Sequence, residues 1–292
     1  MNSIELFKKN APELLDKVYK KEATTADFDI NGALVKAGAN ANEIIVPKLD
    51  MDGLGDYDRN SGYLDGDISL TNETVKFNYE RGRKLKTDAI DNEETGGVIF
   101  ANMSSEFVRT RVIPEVDAVR YAHYASLEDI TDVAPEGVEY ENGEAVLAAL
   151  QKVWADMTND EVPEENRYLR ITSDLLTKAE NVARTTNNDI LKKFAQIKTV
   201  PQGRFYTQIE LKSGKDADGE RVGGYTKGAD GKDINFMVIH KPAMLQYTKH
   251  AKTKIFTPDE DQDGDFYKML YRIYGLNDAY ENKRAGIAIS HK

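Results

Sequence analysis

The run NETVKFNYERGRKLKTD, residues 72–88, repeats with a period of two. Val75, Phe77, Tyr79, Arg81, Arg83 and Leu85 fall on one face of an extended chain, and Lys76, Asn78, Glu80, Lys84 and Lys86 on the other. Just before it lies GLGDYDRNSGYLDGD, residues 53–67, whose glycines, aspartates and asparagine are turn formers. Together with a strand at Glu43–Leu49, these runs predict a long two-stranded excursion within residues 43–95. A ribbon of that length is marginal alone, so a neighbour is expected. The basic cluster Lys76, Arg81, Arg83, Lys84 and Lys86 suits the acidic surface of another copy of the chain. It equally suits a solvated hairpin whose lysines prevent edge pairing.

Upstream, Ile4, Phe7, Ala11, Leu14, Leu15 and Val18 have helical spacing, interrupted at Pro12. A small-residue tether follows, so residues 1–42 read as an arm that wraps something. Downstream, residues 102–126 predict a long helix capped by Ser104 or Ser105, with a stripe of Val108, Val112, Val116, Val119 and Ala122 and a bend at Pro114. His123, with no second histidine near it, reads as a surface or interhelix residue.

Residues 127–255 alternate helix and strand signals. Val146, Leu147, Leu150, Val153, Trp154 and Met157 share one helix face, and TSDLLTKAENVA and NNDILKKFAQI predict two further helices. RYLRI, GRFYTQIEL and INFMVIHK predict strands, and the Gly-rich run 212–232 predicts a mobile exposed loop. The pattern as a whole is α+β.

The net charge of −11 argues against a general nucleic-acid binder. Without cysteine there is no disulfide framework, thiolate nucleophile or zinc–cysteine site. The N-terminal run has no signal-peptide core and no segment reaches transmembrane length, which predicts a cytoplasmic product. DEDQDGDFYKML, residues 259–270, spaces Asp259, Asp261 and Asp263 like a calcium loop, but position twelve is Leu270 rather than glutamate. It reads as an acidic turn entering a strand. Gly53 and Gly55 begin a dinucleotide fingerprint that Asp58 ends. No nucleophile elbow, HExxH or P-loop is present and the four histidines are scattered, so no catalytic, cofactor or metal residues are assigned.

Five segments taken in order carry a resemblance: DGLGDYDRNSGYLDGDISL (52–70), ETVKFNYERGRKLKTDAIDNEET (73–95), VIPEVDAVRYAHYA (112–125), INFMVIHKPAM (234–244) and FTPDEDQDGDFYKMLYRIYG (256–275). They resemble the major capsid proteins of tailed phages and prophages, which have the Hong Kong 97-type fold. The resemblance implies an N-terminal arm (1–42), an E-loop hairpin (43–95), a peripheral domain with a spine helix (96–126), an axial domain (127–255) and C-terminal strands returning to the peripheral domain (256–292). The loop 212–232 is then an axial-domain tip. The implied role is structural rather than enzymatic and without cofactors: self-assembly through hexamers and pentamers into an icosahedral shell around double-stranded DNA.

The same resemblance implies a scaffolding protein and a portal as partners, no membrane, no sequence-specific DNA contact, assembly in the bacterial cytoplasm and a final place in the virion capsid. Lys76, Lys84 and Lys86 with Asn277 and Asn282 show no match to the cross-linking pattern of some relatives, so no cross-link is expected. An encapsulin-type compartment is the alternative within the fold. A secreted calcium-binding or surface-layer protein and a soluble enzyme are the alternatives outside it.

Overall fold

The computed structural model describes residues 23–30, 36–37, 43–57, 59, 62–63, 65–90, 106–261 and 264–292. The helix expected at residues 4–18, the caps Ser104 and Ser105, and Asp263 lie outside them. In chain order the first strands are β1 (Lys36–Ala37), β2 (Glu43–Met51), β3 (Ile68–Lys76) and β4 (Tyr79–Asp88). Next come α1 (Ile113–Ala125), β5 (Thr131–Asp132), α2 (Gly143–Asn159), β6 (Arg167–Ile171), α3 (Ser173–Thr186), α4 (Ile190–Lys193) and β7 (Gln196–Thr199). The remaining strands are β8 (Ile209–Leu211), β9 (Tyr225–Lys227), β10 (Ile234–His240), β11 (Met244–Phe256), β12 (Phe266–Ala279) and β13 (Ile287–His291).

The period-two run 72–88 is two strands in two different sheets. β3 pairs with β2, whereas β4 pairs with β12, in the order β11-β12-β4. At the break, the Asn78 side-chain amide donates to the Asn277 carbonyl (2.7 Å) and its oxygen accepts from the Asn277 N–H (3.0 Å). A side chain thus replaces one ladder step while the backbone changes sheets, and the excursion ends at Lys76 rather than at residue 95.

A second sheet, ordered β5-β13-β10-β6-β7, forms the centre of the molecule. Every residue of β10 is buried, because both faces are covered. Phe236 and Val238 meet the predicted α2 stripe, all of it buried, while Met237 and Ile239 face Tyr121 and Tyr124 of α1. α2 begins at Asn142, whose side chain accepts from the Ala145 N–H at 2.9 Å. β7 was not expected, and β8 is three residues long where GRFYTQIEL predicts a longer strand. β12 joins the long sheet while β13 enters the central one, so the closing strands 256–292 part company.

The discontinuity expected at Pro114 takes the form of a π-helical turn, Val108–Val112, directly before α1. Proline has no N–H to give Thr110, and the Ile113 N–H reaches back five residues to the Val108 carbonyl. Val108, Val112 and Val116 pack on Tyr271 and Ile273 of the long sheet, while Tyr121 and Tyr124 pack on the central one. Lying between two sheets, α1 has little surface left for its polar residues. Burial, with Asp117 adding for Tyr121, pushes the Tyr121 and Tyr124 phenols well above the ordinary range.

Segment Ala23–Ile30, part of the predicted arm, is strapped across this helix. Fully buried Asp117 accepts from the Thr24 N–H (3.0 Å) and hydroxyl (2.7 Å), from the Thr25 N–H (3.2 Å) and hydroxyl (2.6 Å), and from Arg204 (3.1 Å). Arg120 donates to Thr25 and to Asn277, each at 3.0 Å. Arg170 donates to the Thr24 carbonyl (3.0 Å) and to Asp27 (2.9 Å), with its guanidinium 4.8 Å above the Phe28 ring. Every charge that the strap meets in the interior has a partner of opposite sign or a carbonyl.

His240, at the end of β10, is buried, and burial with nearby Arg167 and Lys283 lowers its pKa below 6.5. The unfolded chain therefore takes up this proton first as pH falls, so stability drops as pH falls from about 6.5 through the folded-state value. Denaturant midpoints recorded between about pH 8 and about pH 5 should fall in the parent chain, and fall less in His240→Gln.

Candidate inter-subunit surface

β2 and β3 pair without a register shift from Glu43↔Lys76 to Met51↔Ile68. Residues directly opposite share a face, so each face reads off the register. At the root, Ile44 and Val75 turn into a cluster with Leu245 and Leu276. On the other face of the outer half, Leu49 opposes Leu70 and Met51 opposes Ile68, and these are 57%, 65%, 61% and 72% exposed. Beyond them the tip holds Leu54 in solvent, and a Tyr57–Tyr63 ring pair with centroids 4.9 Å apart.

Among the described residues, ten large apolar side chains are exposed, and seven of them belong to this one hairpin. Such a concentration marks an interaction surface rather than the usual scatter. The sequence carried the signal as Leu49, Met51, Ile68 and Leu70, alternating on either side of the Gly/Asp-rich turn.

The structure scatters those basic residues. Lys76 ends β3, while Lys84 and Lys86 sit on the exposed face of β4, with Lys86 4.4 Å above the Phe266 ring. Arg81 and Arg83 come together on the inner face of β4. Arg81 pairs with Glu115 at 2.8 Å, and Arg83 donates to the carbonyls of Gly214 (3.3 Å) and Arg221 (2.6 Å).

The run 212–232 is therefore docked on β4 and carries β9, which pairs with β8, so a free mobile loop is not what forms. Gly214, at φ +73°, allows this approach, since a Cβ there would lie 2.8 Å from the Arg83 guanidinium. Between β4, the π turn and this loop lies a groove of about 620 Å³, whose lining includes Arg81, Arg83, Arg111, Phe107, Tyr225 and Val222. Burial pushes the Tyr225 phenol up to about 12, and its hydroxyl donates to the Gly203 carbonyl at 2.7 Å.

The acidic turn is a short 3-10 segment, Pro258–Glu260, closed by a Thr257–Glu260 capping box, and Asp261 pairs with Lys268. Among the described residues no three carboxylate or histidine groups come together as a metal site. No helix among them is long and apolar enough to cross a membrane. His123 lies 3.7 Å from Asp278 on β12, as an interelement histidine. Burial pushes the Asp278 carboxyl up, but His123 and the Ala279 N–H outweigh it and hold the group below its ordinary value.

No protein-family model and no curated protein sequence matches the chain. Solved structures do. The capsid of cyanophage P-SCSP1u is 12% identical with a TM-score of 0.54, covering 88% of this chain and 85% of that one. The capsid of the myovirus XM1 is 10% identical with a TM-score of 0.52, covering 91% and 89%. A virus-like particle from Pyrococcus furiosus is 10% identical with a TM-score of 0.58, covering 97% and 99%. At such identities the likeness is one of fold, and it runs through nearly the whole of each chain. The protein described above thus has the fold of tailed-phage capsid proteins, the Hong Kong 97 type.

Proposed function

We propose that the chain is a major capsid protein, which assembles with copies of itself as hexamers and pentamers into a closed shell around the double-stranded DNA of a tailed phage. The observation that carries this reading is the β2–β3 hairpin. Its outer half holds an apolar face in water that a lone chain leaves uncovered, and a lattice of copies would cover it. In this reading the hairpin is the E-loop, α1 the spine helix of the peripheral domain together with the β11-β12-β4 sheet, and the central sheet with α2 and α3 the axial domain. Residues 1–42 supply the arm, of which Ala23–Ile30 is its anchor on α1.

Several weak contacts per subunit, made at once, give a lattice its strength. The charge of −11 fits a container, since a negative wall does not trap the DNA being packed. A scaffolding protein and a portal complete the expected partners, with assembly in the host cytoplasm. The likeness to the Pyrococcus particle favours one second reading, an encapsulin-type shell with a protein cargo.

Electron microscopy of the purified chain, alone and with its native neighbouring proteins, is expected to show closed icosahedral shells or hexamer and pentamer rings. A monodisperse monomer under every condition would overturn the proposal. Nuclease-protected DNA inside the shells would identify a phage head, and a protein cargo the compartment.

A further inference from the structure

We infer that the outer face of the β11-β12-β4 sheet is a docking surface for nucleic acid, held by its phosphate backbone without regard to sequence. The strand register assembles this face from distant parts of the chain. Lys252 stands opposite Arg272 and Arg272 opposite Gly82, while Lys254 stands opposite Leu270 and Leu270 opposite Lys84. One alternation further on, Lys86 stands opposite Lys268. Side chains directly opposite share a face, and alternation sends Tyr271 and Ile273 to the other one, against α1. Lys84, Lys86, Lys252, Lys254 and Arg272 are all exposed. This inference goes beyond the shell reading and stands on a single subunit.

Most of this charge is uncompensated. Arg272 pairs with Glu80, and Lys268, which is buried, pairs with Asp261. Lys84, Lys252 and Lys254 have no carboxylate partner among the described residues, and Lys86 meets the Phe266 ring, 4.4 Å from its ammonium. The His250 imidazole, on the same face, feels this field: burial first, and then Lys252, Arg272 and Lys254, hold its pKa below 6.5. In a chain with a net charge of −11 such a concentration of one sign is a local exception, and a polyanion is the partner it selects.

Residue type and spacing favour phosphate over carboxylate. Arginine forks are the usual readers of carboxylates, and Arg272 is already matched by Glu80. The other four cations are lysines, point charges that suit phosphate. They repeat at alternate residues, about 6.7 Å apart, in two rows about 10 Å apart, one on β11 and one on β4. An extended acidic peptide presents one line of carboxylates on one face, enough for a single row, whereas a duplex carries two lines of phosphates. So few contacts hold a duplex loosely, at about 10⁻⁴–10⁻⁶ M near physiological salt, and do not trap it.

Fluorescence anisotropy of a short labelled duplex, titrated with the full chain as free subunits, tests this. Four phosphate contacts predict a loss of about 100-fold in affinity between about 50 and about 200 mM salt, equal for two duplexes of unrelated sequence. Lys84→Gln with Lys254→Gln should reduce that loss to about ten-fold and leave the melting point unchanged, since both side chains are exposed. Lys152→Gln with Lys215→Gln removes the same charge from exposed sites elsewhere and should leave the salt dependence as it is in the parent. Absence of binding at about 50 mM salt, or an equal effect of the two pairs, overturns the inference. Poly-aspartate that displaces the duplex at equal charge would make the face a seat for acidic protein and overturn it too. The shell reading survives each of these failures, because none of them touches assembly.

Discussion

Asp117→Ala is expected to lose about 3–5 kcal/mol of folding stability, because it leaves buried groups without their counter-charge. The carboxylate it removes accepts five hydrogen bonds from Thr24, Thr25 and Arg204 in a site closed to water. Alanine would leave two N–H groups and two hydroxyls of the strap unsatisfied beside α1, and neighbouring Arg204 without its acid. Asp117→Asn keeps the volume and part of the accepting capacity, so it should lose roughly half as much. Denaturant titration of the three chains measures the series. An Asp117→Ala loss of under about 1 kcal/mol would mean that Ala23–Ile30 is not fastened through this residue.

The second expected result concerns assembly rather than folding. Met51→Ser with Leu70→Ser should leave the monomer's far-ultraviolet spectrum and melting point close to those of the parent, since both side chains are already in solvent. The same pair should weaken each lattice contact by about 2–4 kcal/mol if the face is covered there. That is a factor of roughly 30 to 1,000 in the association constant, repeated at every copy, so shells should fail to form at ordinary protein concentrations. Sedimentation velocity separates shells from free subunits. Normal shells from the double variant would show that the apolar face stays in water, and the observation that carries the capsid reading would fall with it.

Much of the fold was legible in the residues because local periodicity was enough. The helix face of Val146, Leu150, Val153 and Met157, the buried run INFMVIH and the strand at Glu43 each follow from patterns a few residues wide. The break at Phe77–Asn78 was not legible, since the period of two runs through it unchanged. What ends β3 there is a pair of hydrogen bonds to Asn277, 199 residues away. The same limit hid the fate of Arg81 and Arg83. Alternation places them on one face, but which face is covered depends on a loop that arrives more than 130 residues later. Nothing in the sequence around Asp117 marks it as buried. It is buried because α1 is flanked by two sheets, a fact of topology rather than of its neighbours in sequence.

The placement of β13 has a consequence for synthesis. It lies inside the central sheet, between β10 and β5, and not at its edge. A ribosome must have passed residue 291 before β10 gains its second neighbour and β5 gains any, so the sheet cannot close until every other strand described has been made. A polypeptide stopped short of β13 exposes one flank of a strand that is otherwise wholly buried, and is a substrate for proteases. In the shell proposed above, truncated products would thereby be culled as single chains, before an incomplete copy could be built into an assembly where it could not be replaced.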